Sequence, residues 1–344
     1  MVWDEKEIEK ITKRKLVKQL GKQKGKEKYA RYTSAKSYLC ENVYDQIQNH
    51  GSEGLTDHSA KHVSNVIDCA AKLMGDVKGD PVYTGIDCYC LLLAILFHDV
   101  GNIYGRDDHQ NKIDEVYSAA LNSTSKHRAE KILIKSIVGA HCGKDKEGNE
   151  IDTMAKLMKS GDSIDGYSVR TLDVAAVIRF ADELAEGPQR TSDFVSEYCN
   201  MPESSTVYHE YAKTVEVHID RNDERVILKY QVLVNVRNND SDDAFKELIK
   251  FILARVEKVN DERRYNRFYT EWLQPFKKLE VTINLLTDDD YERKVSVIQF
   301  PPITDKVLPG SSKGSLASIY PKFEENTVLT GIENARNQYN QRGK

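Results

Sequence analysis

The feature that most limits what this chain can fold into is an apolar run from Cys88 to Val100 that carries His98-Asp99 at its end. A bilayer-spanning helix needs about 20 apolar residues, and this run is shorter. It reads instead as a buried helix over 85–99, stopped near Gly101. An imidazole and a carboxylate at the end of so apolar a helix must lie at or near the interior. A charged carboxylate there is costly unless a cation or hydrogen bonds compensate it.

Apolar periodicity places further helices around that run. They are expected over about 4–48 (with Gly21 and Gly25 as interruptions), 57–74 (with Thr56 or Asp57 as N-cap), 111–121 and 126–140. A short helix is expected at 152–159, and 168–186 forms another, closed by Gly187-Pro188. The pattern then changes. Val215–Ile219 and Leu279–Leu286 alternate, Val226–Val236 is a further strand candidate, and a helix at about 241–261 lies between them. After residue 300 the chain reads as surface loop, followed by a short helix near 330–340. The expected architecture is mainly α, a helical core with a small appended α+β subdomain. Its divisions are a lysine-rich helical segment at 1–50, the core at 51–200, an α+β extension at 201–300 and a C-terminal tail at 301–344.

The net charge of −4 gives the 344-residue chain no overall attraction to nucleic acid or anionic lipid. The first fifty residues are locally rich in lysine, including Lys10, Lys13, Lys18, Lys22, Lys24, Lys26 and Lys28. They read first as a solvated helix face and second as a basic arm for nucleic acid. Six cysteines show no CxxC spacing, and the start of the chain has no signal-peptide pattern. The expectation is a soluble protein of the reducing cytoplasm, with no membrane attachment.

Ionisable groups recur on the apolar helices. His58 and His62 are one turn apart on a helix and share a face, His98-Asp99 ends the apolar run, and Asp182 sits in AAVIRFAD with Arg179 three residues before it. Imidazole and carboxylate together suit Mn, Fe, Zn or Ni, whereas Mg prefers an all-oxygen site. The bland alternatives are satisfied core histidines and a buried Arg179–Asp182 ion pair that fixes helix packing.

The segments DHSAKHVSNVI, LLLAILFHDVGNIYGRDDH and VAAVIRFADELAEGPQR, in that order, resemble the HD superfamily of metal-dependent phosphohydrolases over roughly residues 50–195. They are most similar to a bacterial HD subgroup with a C-terminal α+β extension. The resemblance implies an HD-type core that binds one or two divalent ions (Mn, Fe, Zn, Ni or Mg). Its ligands would be His62, His98, Asp99 and Asp182, with His109 and His141 added for a second ion that Asp99 bridges. His127 competes with His109. Asp99 would orient a hydroxide derived from water, with His58 as proton donor and Arg179 as a catalytic cation. Arg106, Lys61 and Arg190 would meet substrate phosphate. No GYP motif follows His141, so cyclic-dinucleotide activity is not implied.

The implied function is hydrolysis of a phosphate ester or anhydride of a nucleotide or other phosphorylated small molecule. The alternatives are a dNTP triphosphohydrolase, an inactive nucleotide-sensing or interaction module, and a nuclease that uses the N-terminal lysines. Oligomeric state, a homo-oligomer included, is open at this stage.

Overall fold

The computed structural model describes residues 2–50, 57, 59–104, 113–121, 127–141, 143, 151–157, 162–191, 203–236, 243–288, 293–305 and 315–342. The chain divides into two compact units, one of Met1–Ala185 with Tyr265–Gln274, the other of Glu186–Arg264 with Pro275–Lys344. Helix predominates and a small sheet is appended, so the fold is mainly α with an α+β part.

In the first unit, helices α1 (Glu7–Leu20), α2 (Lys22–Asn42) and α3 (Tyr44–His50) precede α4 (Ala60–Met74) and α5 (Gly85–Phe97). α6 (Ile113–Leu121), α7 (Arg128–Gly139) and α8 (Thr171–Leu184) follow. α5 is the axis of the core. Every one of its residues is buried, and it packs against α1, α2, α4, α7 and α8. A capping box, in which Thr84 and Asp87 satisfy each other's backbone N–H, starts it. The 3₁₀ turn Val100–Tyr104 continues from its end. The stretch Gly85–Tyr104 is long and apolar enough to cross a bilayer, but it is mostly buried inside the fold, which makes it a core segment.

α1 crosses α5 at Gly85, where a Cβ would lie 2.6 Å from the backbone N of Leu16. Only a glycine lets the two backbones approach so closely. The N-cap of α4 is Ser59, which accepts from the Lys61 N–H at 3.1 Å. Asp57 instead accepts from the Ser59 N–H, so the expected cap at Thr56 or Asp57 is displaced along the chain. Between α7 and α8 a two-stranded hairpin, β1 (Ser163–Ile164) with β2 (Tyr167–Ser168), turns through Asp165 and Gly166, both at positive φ.

The lysine-rich N-terminus is only partly the solvated face expected. Lys10, Lys13, Lys18, Lys22, Lys24 and Lys26 are exposed. Lys28 and Lys36 are buried and paired, Lys28 with Glu130 at 2.7 Å and Lys36 with Glu9 at 3.0 Å. The described cysteines Cys40, Cys69, Cys88 and Cys90 are free thiols. Burial pushes Cys69 and Cys88 up to about 12, the behaviour of inert core residues.

The second unit contains α9 (Glu203–Thr214), most of α10 (Asp243–Tyr269) and α11 (Glu325–Arg342), with strands β3 (Val215–Asp220), β4 (Arg225–Val234), β5 (Lys278–Thr287) and β6 (Lys294–Gln299). The sheet order is β3-β4-β5-β6, with only the β4–β5 pair parallel. That pairing requires a crossover connection, and α10 is part of it. Alternate residues of β4 and β5 are buried, giving the sheet one apolar face. α10 contributes Ile249, Ile252, Val256 and Val259 to the core of this unit. Its last turn, from Tyr265, belongs to the first unit.

Candidate metal centre

Four helices bring ionisable groups to one place in the first unit. α4 presents His62, 1% exposed, from the face that also buries Val63, Val66 and Ile67. His98 caps the C-terminus of α5, and Asp99 lies between it and the 3₁₀ turn. α8 presents Asp182 in its last turn. One donor atom from each of His62, His98, Asp99 and Asp182 lies within 4.8 Å of every other. His141, two residues past the end of α7, approaches the same carboxylates: its Nε2 is 3.7 Å from Asp99 Oδ1.

The individual distances suit a shared cation. His62 Nε2 is 3.1 Å from Asp182 Oδ1, while His98 Nε2 is 3.6 Å from that oxygen and 3.4 Å from Asp99 Oδ2. Metal–ligand bonds of about 2.0–2.2 Å place donor atoms roughly 3–4.4 Å apart around one ion. The site passes a second test of fit in its tautomers. His98 Nδ1 is 2.7 Å from the Ile95 carbonyl and His141 Nδ1 is 2.5 Å from the Val138 carbonyl. A carbonyl only accepts, so each Nδ1 carries the proton and each Nε2 turns a lone pair toward the carboxylates. His98 Nε2 is buried and makes no hydrogen bond. An orphaned imidazole lone pair beside two carboxylates is what a divalent cation would satisfy.

The electrostatics agree. Burial opposes charge at Asp182, but His62 and His98 outweigh it and hold the carboxyl well below its ordinary range. Burial also opposes an imidazolium at His98, yet Asp99 and Asp182 leave its pKa raised. The site attracts positive charge. Asp99 turns one oxygen toward His98 and the other toward His141, the disposition a bridging carboxylate would need.

Arg179 lies one turn before Asp182 on α8 but does not form the ion pair with it that the sequence left open; Asp182 pairs with His62 and His98. The Arg179 guanidinium donates to Thr153 Oγ1 at 3.2 Å and stacks 4.5 Å over the Tyr265 ring. Gly143 lies beside it, where a Cβ would come within 3.1 Å of its Nη2. Lys61 is exposed on α4 next to His62. Arg190 is 4% exposed in the 3₁₀ turn Pro188–Arg190 of the second unit. His58, Arg106 and His109 lie outside the described residues. His127 is the N-cap of α7, whose twelve residues set it about 18 Å along the helix from the end that leads to His141.

Sequence reasoning passed over two neighbours. Tyr44, fully buried on α3, donates to the Leu96 carbonyl at 2.8 Å just before the His-Asp pair. Tyr265 orients Arg179 from 86 residues further along the chain. Neither has a local signal, since both depend on where α3 and the end of α10 pack.

The HD-CE family model matches residues 52–262. The chain therefore belongs to the HD-CE family. The matched segment contains all of His62, His98, Asp99, His141 and Asp182 and continues through most of α10, so the HD-CE signature covers both the centre and the start of the α+β part. No curated protein and no solved structure matches the chain.

Proposed function

We propose that this HD-CE protein is a metal-dependent phosphohydrolase that cleaves a phosphate ester or anhydride of a nucleotide-type substrate. The observation that carries this reading is the pair of Nδ1-protonated histidines, His98 and His141, whose Nε2 lone pairs meet the carboxylates of Asp99 and Asp182. His62, His98, Asp99 and Asp182 would hold one divalent ion, with Mn, Fe, Zn or Ni favoured over Mg by the mixed N/O donors. Such an ion supplies a Lewis acid that polarises a phosphoryl oxygen and acidifies water toward neutral pH.

The residues themselves account for the remaining work. Asp99, with an oxygen facing His141, orients the attacking water and takes up its hydrogen bond. Arg179 offers its guanidinium fork to phosphoryl oxygens as negative charge grows on them. As the phosphorus–oxygen bond breaks, the leaving oxygen takes a proton. With one ion held, the Nε2 lone pair of His141 takes a proton from the attacking water and passes it to that oxygen; with a second ion on His141 and His109, His58 would donate it. The completeness of the four-residue cluster favours this enzyme over an inactive module. Exposed lysines on α1 and α2 keep a nuclease as the second reading, one that would show steeply salt-dependent binding.

The test is a phosphate-release screen of the full chain with added manganese. Nucleoside mono-, di- and triphosphates, a phosphodiester and single-stranded RNA and DNA would be offered. Turnover that disappears with chelator and in Asp99→Ala is expected, with the product separating triphosphate release from monoester cleavage. Turnover of nothing by metal-loaded protein would move the binding-module reading to first place.

A further inference from the structure

Phe268 is 79% exposed, the most exposed of the large hydrophobic side chains among the described residues. It stands on the last turn of α10 and is not isolated. Its ring meets Tyr269 edge-on at 5.0 Å, Tyr269 meets Tyr265 at 5.2 Å, and Tyr265 lies under the Arg179 guanidinium at 4.5 Å. The two tyrosines are fixed in place. Tyr265 Oη donates to Asp152 Oδ1 at 2.7 Å and accepts from the Met154 N–H at 3.2 Å, and Tyr269 Oη donates to the other oxygen of Asp152. A rigid series of rings thus runs from a solvent-exposed phenyl face to an arginine one helical turn from Asp182. All of these residues belong to the first unit, and Tyr265, Phe268 and Tyr269 lie beyond the segment that the HD-CE model matches.

A phenylalanine this exposed forgoes most of the burial that normally stabilises it, and an ordered aromatic platform with an open face is suited to stacking. The Asp152 carboxylate is taken up by the two tyrosine hydroxyls, and the series ends under the Arg179 guanidinium, a cation that suits phosphate. Every nucleobase has a π-face, and stacking on aromatic side chains is tolerant of base identity. We infer that Phe268, backed by Tyr269 and Tyr265, is the base-stacking subsite for a nucleotide whose phosphate lies toward Arg179 and the metal centre. This inference rests on the nucleotide phosphohydrolase reading and names the part of the substrate that the metal centre does not touch. Asp152 is then a positioning residue, because it locks the two tyrosine hydroxyls and through Tyr265 the guanidinium.

The experiment compares equilibrium binding, by calorimetry on the full-length protein, of the four ribonucleoside 5′-monophosphates and of ribose 5-phosphate, which carries the phosphate without the base. At least one nucleotide should bind about 5- to 150-fold more tightly than ribose 5-phosphate, the range set by one base–aromatic stack. Phe268→Ala should abolish that advantage while leaving ribose 5-phosphate binding and metal content unchanged, and Phe268→Trp should retain it. Equal affinity for nucleotides and ribose 5-phosphate, no nucleotide binding, or a Phe268→Ala protein that keeps the preference would each overturn the inference. The last result, or capture of a protein partner dependent on Phe268, would assign the ring to a docking surface. Hydrolysis is read separately. A protein that shows the base preference yet turns over no phosphate ester would overturn the hydrolase reading and leave the stacking subsite standing.

Discussion

Glu130 is 2% exposed in the first turn of α7 and takes four hydrogen bonds, from Lys28 Nζ at 2.7 Å, Arg31 Nε at 2.7 Å, Tyr117 Oη at 2.9 Å and Tyr89 Oη at 3.0 Å. The network ties α2, α5, α6 and α7 together, and α5 and α7 lead to His98 and His141. Glu130→Gln keeps the shape but exchanges one acceptor oxygen for an NH₂ group that must face a cation. Lys28 keeps Asp165 at 2.9 Å and Arg31 keeps the Leu121 carbonyl at 2.9 Å, so neither cation is wholly stranded. Breaking one side of a buried ion pair costs about 3–5 kcal/mol. The retained partners place this substitution toward the lower end, about 3 kcal/mol, or a fall in Tm of roughly 6–12 °C for a unit of this size. Urea unfolding followed by tryptophan fluorescence reads the effect in the right place, because Trp3 and Trp272, the two tryptophans of the chain, both lie in the first unit. The effect has a pH signature. Burial opposes charge at Glu130, but Lys28 and Arg31 outweigh it and lower its pKa from 4.5. A depressed folded-state pKa gives stability that is complete above the unfolded value and is lost as pH falls through the folded one. The gap between the native protein and Glu130→Gln should therefore hold from pH 7 to about 5 and close below about 4.5. A loss under about 1 kcal/mol, or a gap that stays constant into acid, would refute this reasoning.

Two glycines give sharper local tests. Gly85→Ala drives a methyl group to 2.6 Å from the α1 backbone at Leu16, and it should cost about 1–3 kcal/mol in urea unfolding as an overpacked core. Gly143→Ala crowds Arg179 Nη2 at 3.1 Å. It should lower turnover in the phosphate-release assay while metal content stays unchanged. Arg179→Lys, which loses the planar fork, should lower turnover further, by about 10- to 100-fold.

The elements that were legible in the sequence are those whose burial is written in their own residues. α5 is apolar beyond its capping Asp87, α8 carries an unbroken apolar face, β4 is rich in β-branched and aliphatic residues, and β5 alternates. Elements whose burial depends on distant partners were not legible. β6 is half-buried on both faces and shows no alternation, and α9 is too polar to show a stripe. α10 continues to Tyr269, beyond the expected end near 261, because DERRYNRFY contains no helix-breaking residue. Lys28 looked like one more solvated lysine, since its partner Glu130 is 102 residues away. At the metal centre, His62, His98, Asp99 and Asp182 were visible because ionisable groups on apolar helices are costly and call for compensation. The Tyr265–Arg179 stack was not, because nothing near either residue in sequence announces the other.

The most direct test of the account is elemental analysis of protein purified without chelator, for the native chain and for Asp182→Ala. The account predicts one or two divalent ions per chain in the native protein and their loss in Asp182→Ala, with circular dichroism unchanged. A native chain that carries no ion and takes up none of Mn, Fe, Zn or Ni, or an Asp182→Ala protein that keeps its full complement, would contradict it.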